Sequence, residues 1–216
     1  MKLYLFFITI ILVCGFSQCS SKNETSENSK KDILKVNKFK LRKGKTLKDW
    51  NCHEIEDNNI CIPSTWKTIE QNKVYYFTYL DNNNDNTYFT ILRYNASVEN
   101  IDSKEYLKET YLQLINDTLE KGMSYTVKRL IFKNKESYYC EYYTKIDNIS
   151  YITYSMIFNQ GDFLYDISLK AEKDVASTNY YDVFQDILYN FRIKGNQFFS
   201  EKDKLKEIQI IDLSTL

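Results

Sequence analysis

The sequence predicts an α+β protein: a single antiparallel β-sheet with a long meander, flanked by two amphipathic helices. Three observations carry that expectation. Tyr125 to Lys170 reads as four consecutive strands joined by short turns. A helical stripe stands on each side of that run. The chain has 216 residues and is 16% aromatic, with 19 Tyr and 13 Phe, enough large apolar surface for one sizeable core.

Residues 1–18 read as a signal peptide. Lys2 supplies a short positive start, and Leu3–Val13 is an apolar run too short to span a bilayer but suited to a signal peptide. Gly15-Phe16-Ser17-Gln18-Cys19 follows, then the polar Ser20-Ser21-Lys22-Asn23-Glu24. An apolar run, a cysteine and a polar stretch resemble a bacterial lipoprotein signal, in which Cys19 becomes the acylated first residue. Gln18 departs from the Gly, Ala or Ser that such signals prefer. Cys14 would cut the apolar run short, and an ordinary secretory signal is the alternative.

Residues 19–48 read as a tether. No apolar residue precedes Ile33 in it, so it cannot bury enough surface to offset chain entropy. Eight Lys or Arg lie between Lys30 and Lys45, and a solvated linker is the simplest reading of that run.

The domain is expected over 49–194. Asp57-Asn58 is a turn-prone pair between two short strands, which sets Cys52 near Cys61. An oxidising compartment makes a disulfide the natural reading; two buried thiols are the alternative. A metal site using Cys52, His53 and Cys61 is disfavoured. Adjacent strand residues point to opposite faces, and the CxxC spacing of zinc sites is absent. Pro63 ends the second strand and Trp66 is placed to plug the sheet. Val74–Leu80 and Thr87–Tyr94 follow as strands. The six-residue polar run from Asp81 to Asn86 lacks the Gly and Glu of an EF-hand loop, since Asn86 and Leu92 occupy those positions.

Ser103–Lys121 is the first helix, with Ser103 as cap, Gly122 as stop, and a stripe of Leu107, Tyr111, Leu114, Ile115 and Thr118. Leu112 lies among the polar residues of the opposite face. The meander strands are Tyr125–Phe132, Ser137–Lys145, Ser150–Phe158 and Asp162–Lys170. In the last, Phe163, Tyr165, Ile167 and Leu169 alternate with Asp162, Asp166, Ser168 and Lys170, which predicts one buried and one wet face. Leu164 alone breaks the polar side. Cys140 reads as a free, buried thiol.

Lys173–Phe191 is the second helix. Tyr180, Val183, Phe184, Ile187, Leu188 and Phe191 form its stripe, with Asp174, Asp182, Gln185, Asp186 and Asn190 opposite and expected to face water. Residues 195–216 read as a tail whose Ile208–Leu213 run can add an edge strand.

Ile62-Pro63-Ser64-Thr65-Trp66 and the closing Val183–Phe191 helix resemble the PsbP-like family, named from a photosystem accessory protein and also found among small bacterial lipoproteins. That resemblance implies an α/β/α sandwich on one antiparallel sheet. It implies an assembly, adaptor or accessory role rather than catalysis; the family's known metal sites are not recognisable in this sequence, and none is carried over.

Removing residues 1–18 takes away one lysine and leaves a net charge of −1, so no strong field attracts nucleic acid. No GxSxG, HExxH, P-loop or CxxC occurs. Catalytic residues, metal ligands and cofactors are therefore not expected. The expected role is a non-catalytic, lipid-anchored module of the bacterial cell envelope, periplasmic or surface-exposed. Its partners are the membrane, through Cys19, and a protein. An immunity or chaperone-like protein gripping one partner through Tyr139 and Tyr143 is the second expectation. A hydrolase using paired carboxylates is the third.

Overall fold

In the computed structural model the described residues run from 49 to 213, apart from 56, 73–75, 82–83, 113, 115, 117–123, 174–178 and 200–204. All lie in the second of the chain's two units, Val36–Leu216. Cys19 and the tether expected over 19–48 fall outside the described residues.

Two antiparallel sheets replace the single one expected. The larger has eight strands in the order β12-β6-β7-β8-β9-β5-β4-β3. Its members are β3 (Trp66–Asn72), β4 (Tyr76–Asp81), β5 (Asn84–Asn95), β6 (Tyr125–Ile131), β7 (Glu136–Ile146), β8 (Ile149–Gln160), β9 (Phe163–Glu172) and β12 (Glu207–Ile210). The smaller has the order β1-β2-β10-β11, from β1 (Trp50–Ile55), β2 (Asn58–Pro63), β10 (Arg192–Ile193) and β11 (Asn196–Gln197). Pro63 explains the split. It ends β2, and the chain turns at Ser64-Thr65 so that Trp66 opens a strand of the other sheet. β2 then pairs with β10, which directly follows the last helix.

The meander forms as the pattern predicts, with β6 to β9 neighbours in sequence and in space. The two-residue turn after β7 uses Asp147 (φ 48°) and Asn148 (φ 68°), the left-handed pair that fits a tight hairpin to twisted strands. Gly161 (φ 57°) supplies that conformation after β8.

The helices are α1 (Ala96–Glu99), α2 (Ser103–Tyr106), which continues as a π-helical turn over Leu107–Tyr111, and α3 (Tyr180–Asn190). Asp102, not Ser103, caps α2: its carboxylate accepts the N–H groups of Lys104 and Glu105 at 2.9 and 2.8 Å. The expected stop at Gly122 lies outside the described residues. Asn179 caps α3.

Each face of the large sheet has its own core. Alternate residues Tyr154, Met156, Phe158, Tyr165, Ile167 and Leu169 pack with Phe184, Ile187, Leu188 and Phe191 of and just after α3. On the other face Val127, Tyr138, Cys140, Tyr142, Ile157 and Leu164 pack with Tyr106, Leu107 and Tyr111. The face of β9 expected to be wet is therefore covered: Leu164 is buried, and Asp166 is only 4% exposed. The polar side of α3 is a second correction. Gln185, Asp186 and Asn190 are buried, because α3 packs against β2 as well as β9. The stretch expected as a tail supplies β11, β12 and the buried Phe198, Phe199 and Leu213.

Candidate functional site

The most specific polar arrangement lies between α2 and the sheet. Asp166 sits mid-strand on β9, opposite Leu92 of β5 and Ile157 of β8. Tyr106 donates to its Oδ2 at 3.0 Å. The Tyr111 hydroxyl lies 3.1 and 2.9 Å from its two oxygens and 3.0 Å from Ser155 Oγ. A phenol has one proton, so Tyr111 gives it to the carboxylate and accepts from Ser155. Burial pushes the Asp166 carboxyl up to about 6, against the pull of the two tyrosine hydroxyls. Burial and the Asp166 charge push both phenols up in turn. Cys140 lies in the same buried layer, free, with its thiol pushed up by burial. A buried thiol of that kind is no nucleophile.

Two other features border this cluster or lie opposite it. A cleft of about 500 Å³ opens where the turns after β6 and β8 meet the start of α2. Most of its polar groups are engaged with one another. Arg129 donates to Glu136 and to Gln209, Tyr138 donates to Glu136, and Asn159 accepts from the Ser103 backbone. On the α3 face Glu141 accepts from Tyr139 at 2.9 Å and from Tyr143 at 3.4 Å. Lys128 lies 5.8 Å from the centre of the Tyr139 ring, and Lys173 4.9 Å from that of Tyr143. Tyr139, expected as an exposed anchor, is only 2% exposed and belongs to the core, while Tyr143 is half-buried.

The structure joins Cys52 to Cys61 in a disulfide between paired residues of β1 and β2, with Cα atoms 4.0 Å apart. The His53 ring packs against Tyr79 at 5.4 Å. Among the described residues no three His, Cys, Asp or Glu side chains gather as a metal site, and no helix is long and apolar enough to cross a membrane. Sequence reading missed Asp166, Tyr106 and Ser155 as a cluster. The available signal was Leu164, an apolar residue on a strand face otherwise read as wet.

No protein-family model and no curated protein matches this chain. Solved structures do. The solution structure of cyanobacterial PsbP (CyanoP) from Synechocystis sp. PCC 6803 matches with a TM-score of 0.50 at 8% identity, covering 67% of this chain and 92% of that one. The fold is a distant PsbP-like one. A Bacteroides thetaiotaomicron protein matches at TM-score 0.43 and 11% identity over 68% of this chain, which spans about half (49%) of that protein's length. A Pseudomonas aeruginosa protein of unknown function matches at TM-score 0.31 and 10% identity, over 57% of this chain and 83% of that one. The α+β, largely antiparallel PsbP-like architecture agrees with the sequence resemblance; the second sheet is the departure from it.

Proposed function

We propose that this chain is a non-catalytic, lipid-anchored accessory module of the bacterial cell envelope that binds a protein partner. The observation that carries the reading is a PsbP-like fold standing behind an apolar leader, Cys19 and a polar stretch. In this reading residues 1–18 are removed, Cys19 carries lipid, and 19–48 lets the folded domain that follows reach away from the membrane. The sites are then Cys19 for lipid and the Cys52–Cys61 disulfide for stability.

Fractionation tests it. Cys19→Ala should either release the domain into the soluble periplasm or leave the leader uncleaved. Membrane association of a correctly cleaved Cys19→Ala protein that still requires detergent would overturn the anchor.

The second reading is an immunity or chaperone-like protein that sequesters one partner. It is favoured by the half-buried Tyr143 and Tyr181 beside Glu141 on the α3 face, because tyrosines that are partly wet and partly packed are common interface anchors.

A further inference from the structure

Tyr106 and Tyr111 are five residues apart, yet both reach one carboxylate. In an uninterrupted α-helix five steps of about 100° would leave them about 140° apart around the axis. The π-helical turn over Leu107–Tyr111 bonds i to i+5 instead, and the wider turn returns the chain to the same side. That local departure from α geometry is what lets two phenols from one helix share Asp166.

The groups that face Asp166 are uncharged. From the helix they are Tyr106 and Tyr111, with the ring of Tyr94 of β5 tilted against that of Tyr106 at 5.6 Å. From the sheet they are Ser155, Cys140 and Tyr142. No cation opposes the carboxylate among the described residues.

We infer that Tyr106, Asp166 and Tyr111 form a proton-controlled latch. It holds α2 and its π-helical turn against the sheet while Asp166 is protonated, and it lets that segment lift when the proton is lost. A neutral carboxyl in this dry layer is cheap to bury, and with its proton on Oδ1 the Oδ2 oxygen still accepts from both phenols, at 3.0 and 2.9 Å. An ionised one keeps both phenol bonds but has no counter-charge, and the desolvation cost outweighs them. Lifting the segment hydrates Asp166, and the proton passes to solvent. The same segment carries Asp102, Ser103 and Lys104 along one wall of the cleft, so release widens the cleft.

Hydrogen exchange followed by mass spectrometry on the full chain tests the latch, with rates corrected for the intrinsic effect of pH. Protection over 103–112 should fall about tenfold between pH 5 and pH 8, because the open form binds its proton about two pH units more weakly than the closed one. Protection over 103–112 should also be lower than over α3 at both pH values, because the segment opens without the rest of the fold, and in Asp166→Asn the 103–112 pH difference should vanish. Three results would overturn the latch: equal protection of 103–112 at the two pH values, protection of 103–112 as high as that of α3, so that the segment opens only with the whole fold, or a fall that persists in Asp166→Asn. If Asp166→Asn does not fold, the wild-type comparison of 103–112 with α3 decides alone.

Discussion

On one face of the large sheet, β8 and β9 offer Tyr154, Met156, Phe158, Tyr165, Ile167 and Leu169 to α3. On the other, the same strands offer Ser155, Ile157, Leu164 and Asp166 to α2. Both faces are covered by a helix, but they are held by different means. The α3 face is filled by volume: Phe158 alone packs its ring against Tyr165, Phe191, Phe198 and Phe199. The α2 face is fixed by donors and acceptors: two phenols and one serine converge on or beside a single buried carboxylate. Truncation should hurt the first face. A change of protonation should move only the second.

The largest effect is therefore expected on the α3 face. Phe184 is fully buried, stacked 6.0 Å from the Tyr154 ring. Phe184→Ala should cost about 3–5 kcal/mol in chemical denaturation. If instead the melting curve held and partner binding disappeared, this stripe would be an interface, and the α3 face could no longer be described as core.

The second effect separates the faces by pH. Folding raises the Asp166 carboxyl to about 6, above the usual carboxylate range. The folded chain therefore holds a proton that the unfolded chain has already lost. The stability tied to that proton is present in full below about pH 4 and is lost as pH rises through 6. Between pH 4 and pH 7 the loss should be about 2 kcal/mol. Asp166→Asn cannot ionise, so its denaturation midpoint should lack this component. A wild-type slope equal to the variant's over that range would mean that Asp166 is hydrated in solution.

The unequal legibility of the two faces has the same origin. Period-two alternation reports which residues are apolar, and on the α3 face apolar and buried coincide, so Tyr165, Ile167 and Leu169 were readable. On the α2 face of β9 the buried Asp166 is polar and reads as wet, and only Leu164 signals the cover. The π-helical turn has no sequence period, and the 3.6-residue template merged it into one helix. The second sheet was hidden because β10 is two residues long, too short for any pattern, while its pairing with β2 is a long-range event. That missing sheet also explains why Gln185, Asp186 and Asn190 were assigned to water. By contrast the Cys52–Cys61 pairing followed from one local turn at Asp57-Asn58, where sequence distance and spatial distance agree.

The smallest effect tests the polar exception on the α3 side. Gln185 is fully buried, and neither its Nε2 nor its Oε1 has a hydrogen-bond partner among the described residues. Its position follows from α3 packing against β2, which closes over the helix side that the sequence assigns to solvent. Asp166, equally deep, has two donors; Gln185 has none, so its amide loses hydration without replacement. Met has nearly the same length and no polar group to desolvate, and it adapts to an irregular site. Gln185→Met should therefore raise stability by about 1 kcal/mol, seen as a melting temperature higher by about 2–4 °C. A loss of stability would mean that a buried water satisfies the amide, since such a water with two or more polar partners is costly to displace. The α3 side would then carry a hydrogen-bonded polar site of its own, and the contrast between the two faces would be one of degree.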